Sequence, residues 1–205
     1  FFLDAYRGKE TYTIILEAIV LVTGIMSVWY AKKENILVYP TGLIATVITV
    51  YLFFRDGLLG DMMMNFYWSA MSIYGWWNWL RVKKGKEKVI KISRTTAKEK
   101  VIGLAMFFAT MLITYGVYKA FRANIETSNY IDIFTSGVFF TAMWYMANKK
   151  IEHWVLWIFA DIITVPLYAY RGWGMFSLQY FIFTILAIQG YLAWKKSLNK
   201  NLQTL

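Results

Sequence analysis

The stretch I-E-H-W-V-L-W-I-F-A-D-I-I-T-V-P-L-Y, residues 151–168, carries side chains that could hold a small molecule. At 3.6 residues per helical turn, Trp154, Trp157, Asp161, Thr164 and Tyr168 fall on one stripe, while Val155, Ile158, Ile162 and Val165 fall elsewhere. Tryptophan as bulky membrane filler accounts for the two indoles alone. It leaves the acid unexplained, because a carboxylate within an apolar helix is costly and marks ligand or ion pathways. The stripe therefore predicts a small-molecule site. Nothing in the sequence supports catalysis: no nucleophile–base pair stands out, and one histidine with scattered carboxylates gives no metal-ligand spacing. No cofactor is implied, and without cysteine there is no thiolate site.

The elements that must position this stripe follow from composition. Of the 205 residues 59% are hydrophobic and 17% charged, and the mean hydropathy is +0.43. Ordinary soluble domains are nearer half apolar and a quarter charged. The chain therefore reads as an all-α polytopic membrane protein, since lipid leaves backbone groups no partner outside a helix or a closed barrel. Seven transmembrane helices are predicted near 12–31, 36–54, 62–80, 101–121, 131–146, 154–170 and 176–194. Pro40 falls in the first turn of the second span, where a missing N–H costs little. Pro166 falls inside the sixth, where it bends the helix or frees a carbonyl near Ile162.

The net charge of +10 is not a nucleic-acid signal here, because the basic residues flank the spans. They set orientation instead. Segment 81–100 is the most basic and is expected in the cytoplasm, together with Lys32-Lys33, Lys149-Lys150 and the tail Lys195-Lys196. This puts the N-terminus, residues 1–11, outside and the C-terminal tail, 195–205, inside.

Sliding the sequence by 115 residues lays the first three spans, within 12–80, on the last three, within 131–194 (Trp79, for example, lands on Trp194). Roughly one position in five is identical over about sixty-five, and the order of polar and apolar residues is shared. Two parallel three-helix repeats with span 101–121 as linker make a 3+1+3 plan, which expects the site at the repeat interface. Trp154, Trp157 and Asp161 fall on Tyr39, Gly42 and Thr46, so the lining is asymmetric.

Asn65 in the third span and Gln179 in the seventh are further candidates, since a buried amide needs partners. Trp76, Trp77 and Trp79 read as an interfacial belt, Glu17 and Asp132 as structural or interfacial carboxylates with attraction of cations to the outer mouth as the alternative, and Asn148 and His153 as hydrated loop groups.

The W-V-L-W stretch, the repeat endings Y-G-W-W-N-W and Q-G-Y-L-A-W, and the 3+1+3 plan resemble the PnuC family of vitamin transporters, over residues 16–196. Trp154 and Trp157 match its W-x-x-W motif. The resemblance implies a SWEET-like arrangement, a homotrimer in the bacterial inner membrane, and uptake of nicotinamide riboside by facilitated diffusion. It also implies trapping by a cytoplasmic kinase that phosphorylates the nucleoside. Relatives that carry thiamine or riboflavin keep those substrates open, and an ion-coupled symporter of another small solute is the further alternative. With no G-x-x-x-x-G-K-[ST] motif, ATP-driven transport by this chain is not expected.

Overall fold

Each predicted span forms a helix in the computed structural model, which describes residues 10–55, 59–81, 90–121, 125–170 and 174–203. The helices are α1 (Thr11–Lys32), α2 (Val38–Arg55), α3 (Leu59–Leu80), α4 (Ala97–Phe121), α5 (Thr127–Ala147), α6 (Glu152–Tyr170) and α7 (Gly174–Gln203). Local chemistry sets several ends. α4 begins at Ala97, ahead of the expected 101, because Thr96 and Glu99 cap it reciprocally: the Thr96 N–H donates to Glu99 Oε2 at 2.8 Å, and the Glu99 N–H to Thr96 Oγ1 at 3.3 Å. A second reciprocal cap, between Glu126 and Asn129, starts α5. α7 continues past 194 to Gln203, so most of the expected tail is helical. α6 runs unbroken through Pro166.

Among the described residues, α1, α2, α4, α6 and α7 are long and apolar enough to cross a membrane. α3 and α5 fall short because they carry polar residues turned inward: Asn65, Ser69, Ser72 and Asn78 on α3, and Asn129, Thr135, Ser136 and Thr141 on α5, are buried. α1 packs on α2 and α7, α2 on α3, α3 on α5, α5 on α6, and α6 on α7. Six helices thus close a ring. α4 lies against α5 and touches α3, and its Leu112 and Ile113 are exposed, as suits contact with lipid tails.

The hydrophobic core cluster lies at the end of the ring nearest the basic segment, here called the basic end. Tyr39, Trp79, Met146, Trp154 and Trp194 meet there. Two glycines make this possible. A Cβ on Gly75 would stand 2.3 Å from the Tyr39 ring, and one on Gly190 would stand 2.6 Å from the Trp154 indole. Tyr39 meets Trp79 edge-on at 5.2 Å, and Trp154 meets Trp194 edge-on at 5.8 Å. The expected belt therefore splits by helical phase. Trp77 is exposed under the Arg81 guanidinium, whereas Trp79 is buried and donates its indole N–H to the Met146 carbonyl at 3.2 Å.

Overpacking a close-packed contact costs about 1–3 kcal/mol. Gly190→Ala and Gly75→Ala are each expected to lower the thermal midpoint in detergent by several degrees, whereas Gly116→Ala, where an added Cβ meets nothing within 4 Å, should not. Melts of the three variants side by side check this.

Candidate functional site

The ring surrounds a cavity of about 390 Å³, within the roughly 300–1,000 Å³ usual for small-molecule sites. α6 turns Trp157, Asp161, Thr164 and Tyr168 toward it, α3 adds Asn65 and α7 adds Gln179. The helical stripe read from the sequence thus borders one space, with one exception. Trp154 does not line the cavity. It is fully buried one turn nearer the basic end, edge-on to Trp157 at 6.1 Å.

His153 departs from its expected hydrated position: its exposure is 0%. Its Nδ1 lies 2.7 Å from the Lys150 carbonyl, which only accepts, so Nδ1 carries the proton. Its ring sits among Trp154, Trp157 and Trp194.

Asp161 is 1% exposed, and its Oδ2 has no hydrogen-bond partner. Among the described residues lining the cavity there is no lysine, arginine or histidine. An ionised carboxylate there lacks a counter-charge, an arrangement that costs several kcal/mol unless a ligand supplies one. The Trp157 indole N–H is likewise unpartnered. Thr164 spends its hydroxyl proton on the Ala160 carbonyl at 2.8 Å and keeps only lone pairs for a ligand. Thr49 does the same toward Ala45 at 2.8 Å across the cavity. The Gln179 amide reaches the α1–α7 seam, 3.1 Å from where a Cβ on Gly24 would be.

An aromatic wall completes the lining. Trp68 meets Phe139 edge-on at 6.1 Å, Phe139 meets Tyr180 at 5.8 Å, and Tyr180 stacks on Tyr168 at 5.3 Å. Such a wall binds flat rings by stacking and attracts cations by its ring quadrupoles.

Sequence reasoning missed the contribution of α4 and α5. Asp132, expected to be structural or interfacial, lines the cavity and accepts a hydrogen bond from Tyr118 of α4. Thr110, Thr114 and Tyr118 recur every four residues on an otherwise apolar helix, and this polar stripe was the available signal.

The profile of the family described as nicotinamide mononucleotide transporter matches residues 14–196. The chain belongs to this family. It is 25% identical over 204 residues to the nicotinamide riboside transporter PnuC of Escherichia coli (strain K12), an alignment covering 89% of this chain and 85% of that relative. Identity to the riboflavin/roseoflavin transporter RibM of Streptomyces davaonensis is 22% over 194 residues, covering 93% and 89%. A crystal structure of the vitamin B3 transporter PnuC shares the fold, with a TM-score of 0.72 at 23% identity over 90% of this chain and 82% of that one. Family and apolar helices together make this a multi-pass membrane transporter of the PnuC type, and its relatives are named transporters rather than enzymes.

Proposed function

We propose that the chain takes up nicotinamide riboside through the bacterial inner membrane by facilitated diffusion with alternating access. The cargo is then trapped by a cytoplasmic kinase that phosphorylates it. The observation that carries this reading is the unpartnered Asp161 Oδ2 beside Trp157 in a cavity whose described lining holds no basic side chain. Nicotinamide riboside offers a flat cationic ring, a carboxamide and a ribose. In this reading Trp157 stacks on the ring and Asp161 meets its charge. Thr164, Tyr168, Asn65 and Gln179 serve the ribose hydroxyls or the amide, and Trp154 holds Trp157 in place from behind.

The layout is a SWEET-like 3+1+3 arrangement of seven spanning helices: residues 12–80 and 131–194 are parallel repeats, and α4 is the linker. The offset between Trp79 and Trp194, and between Gly75 and Gly190, supports it. The N-terminus lies outside. Segment 81–100 and the C-terminus are cytoplasmic, following the basic residues. The assembly is a homotrimer.

A second reading, carriage of a flavin, is favoured by the similarity to RibM. Asp132 and Asp161 in the cavity lining favour a cation over a neutral flavin ring. The test is calorimetry on detergent-purified protein with nicotinamide riboside, thiamine and riboflavin. The proposal expects heat with the riboside alone. Binding of thiamine alone would keep a cation site and change the substrate, and binding of riboflavin alone would overturn the charge argument.

A further inference from the structure

Glu34 and Lys149 form an ion pair and stand 115 residues apart, the same offset that relates Trp79 to Trp194. Each is the left-handed residue just past a helix end, at φ 55° and φ 51°. Each helix end is closed in the same way. The Asn35 N–H bonds the Tyr30 carbonyl at 3.0 Å, and the Lys150 N–H bonds the Tyr145 carbonyl at 2.9 Å. A residue that meets its own counterpart sits where the two halves face each other. Identical side chains there would place like charges together, whereas this chain has a carboxylate in one half and an ammonium in the other.

The pair is the outermost part of a closed layer. Lys149 is 1% exposed, and its ammonium also lies 4.4 Å from the centre of the Trp79 ring. Two crossed bonds flank it: Trp79 Nε1 donates to the Met146 carbonyl at 3.2 Å, and Trp194 Nε1 donates to the Ala31 carbonyl at 3.0 Å. Each half thus caps the helix end of the other. Val38, Tyr39 and Met146 belong both to this core and to the cavity lining, so the layer is the floor of the cavity.

The halves are fastened differently. The described part of segment 81–100 runs over the α5–α6 turn. The Ser93 N–H bonds the Lys149 carbonyl at 3.1 Å, the Ile151 N–H bonds the Ser93 carbonyl at 3.0 Å, and Lys150 pairs with Glu99 at the start of α4 at 2.9 Å. These contacts hold the α5–α7 half to α4.

We propose that the Glu34–Lys149 pair and the crossed indole bonds are the gate on the basic side of the cavity, which opens when the α1–α3 half moves away from the strapped α5–α7 half. The purpose of such a gate rests on the transport reading, but its closure is tested without any cargo. The chain has no cysteine, so one reporter thiol is unambiguous. Ser72→Cys puts it on the cavity wall. In vesicles, a membrane-impermeant maleimide is applied to the basic side and, separately, to the opposite side.

Glu34→Gln is expected to raise alkylation from the basic side about tenfold, the shift that about 1.4 kcal/mol of lost cross-half interaction produces. Lys149→Gln should act alike, and the reversed pair, Glu34→Lys with Lys149→Glu, should return to the parental rate. Alkylation from the opposite side should not rise. Equal basic-side rates in the parent and both single variants would overturn the gate. So would a rise from both sides, which reports general loosening. If the labelling pattern holds but no nicotinamide riboside binds, the cargo assignment falls and the gate stands.

Discussion

Trp157→Ala is expected to weaken binding of nicotinamide riboside about a hundredfold while leaving the fold intact. A cation over a desolvated indole is worth up to about 2 kcal/mol, and stacking adds about 1 kcal/mol. Their sum, about 3 kcal/mol, is roughly two decades in affinity. Trp157 is partly buried at the cavity wall, so truncation mainly enlarges a space that already exists. Trp154 should behave differently. It is fully buried against Gly190, and truncating such a side chain typically costs about 3–5 kcal/mol of stability. Trp154→Ala is therefore expected to lower the melting point first, and affinity only through the loosened Trp157. Calorimetry and melting curves on both variants separate the roles. Wild-type affinity in Trp157→Ala would remove it from the site.

This division within one W-x-x-W motif shows where sequence reading stops. Helical periodicity assigns Trp154 and Trp157 to the same side of α6. It does not say that a neighbouring helix closes over one of them, which Gly190 of α7 does. The same limit governs Trp77 and Trp79, two residues and about 200° apart on α3. One faces outward and the other is buried against the Met146 end of α5. His153 lies three residues past the Lys149-Lys150 pair and so reads as wet, yet the segment around Ser93 closes over the turn and the tryptophans close over the ring.

What was legible came from long apolar runs, whose number and rough bounds translate directly into α1–α7. The starts of α4 and α5 were less so, because side-chain caps rather than hydropathy set them. The stripe Trp157, Asp161, Thr164 and Tyr168 survived as one wall because a single helix carries it. Asp132 and Tyr118 escaped because their meeting depends on how α4 packs against α5, which no pattern within either helix encodes.

Asp161→Asn is expected to move affinity and stability in opposite directions. Asparagine has nearly the same shape but no charge, so a bound cation loses its counter-charge. Removing one partner of a buried charge pair costs about 3–5 kcal/mol. A loss of about a hundredfold in riboside affinity corresponds to the low end of that range. In the empty protein the balance reverses. The parent buries a carboxylate oxygen with no partner and with no basic residue in the described lining. An acid at a helix centre costs about 2.5–3.5 kcal/mol on insertion scales. Exchanging it for an amide should recover about 1 kcal/mol, worth roughly 2–4 °C in a chain of this size. A purely structural Asp161 would lose stability on the same exchange, without the selective loss of cation binding. The empty protein's melting point and the riboside affinity, measured on one preparation, therefore decide between a carboxylate kept for the ligand and one kept for the fold.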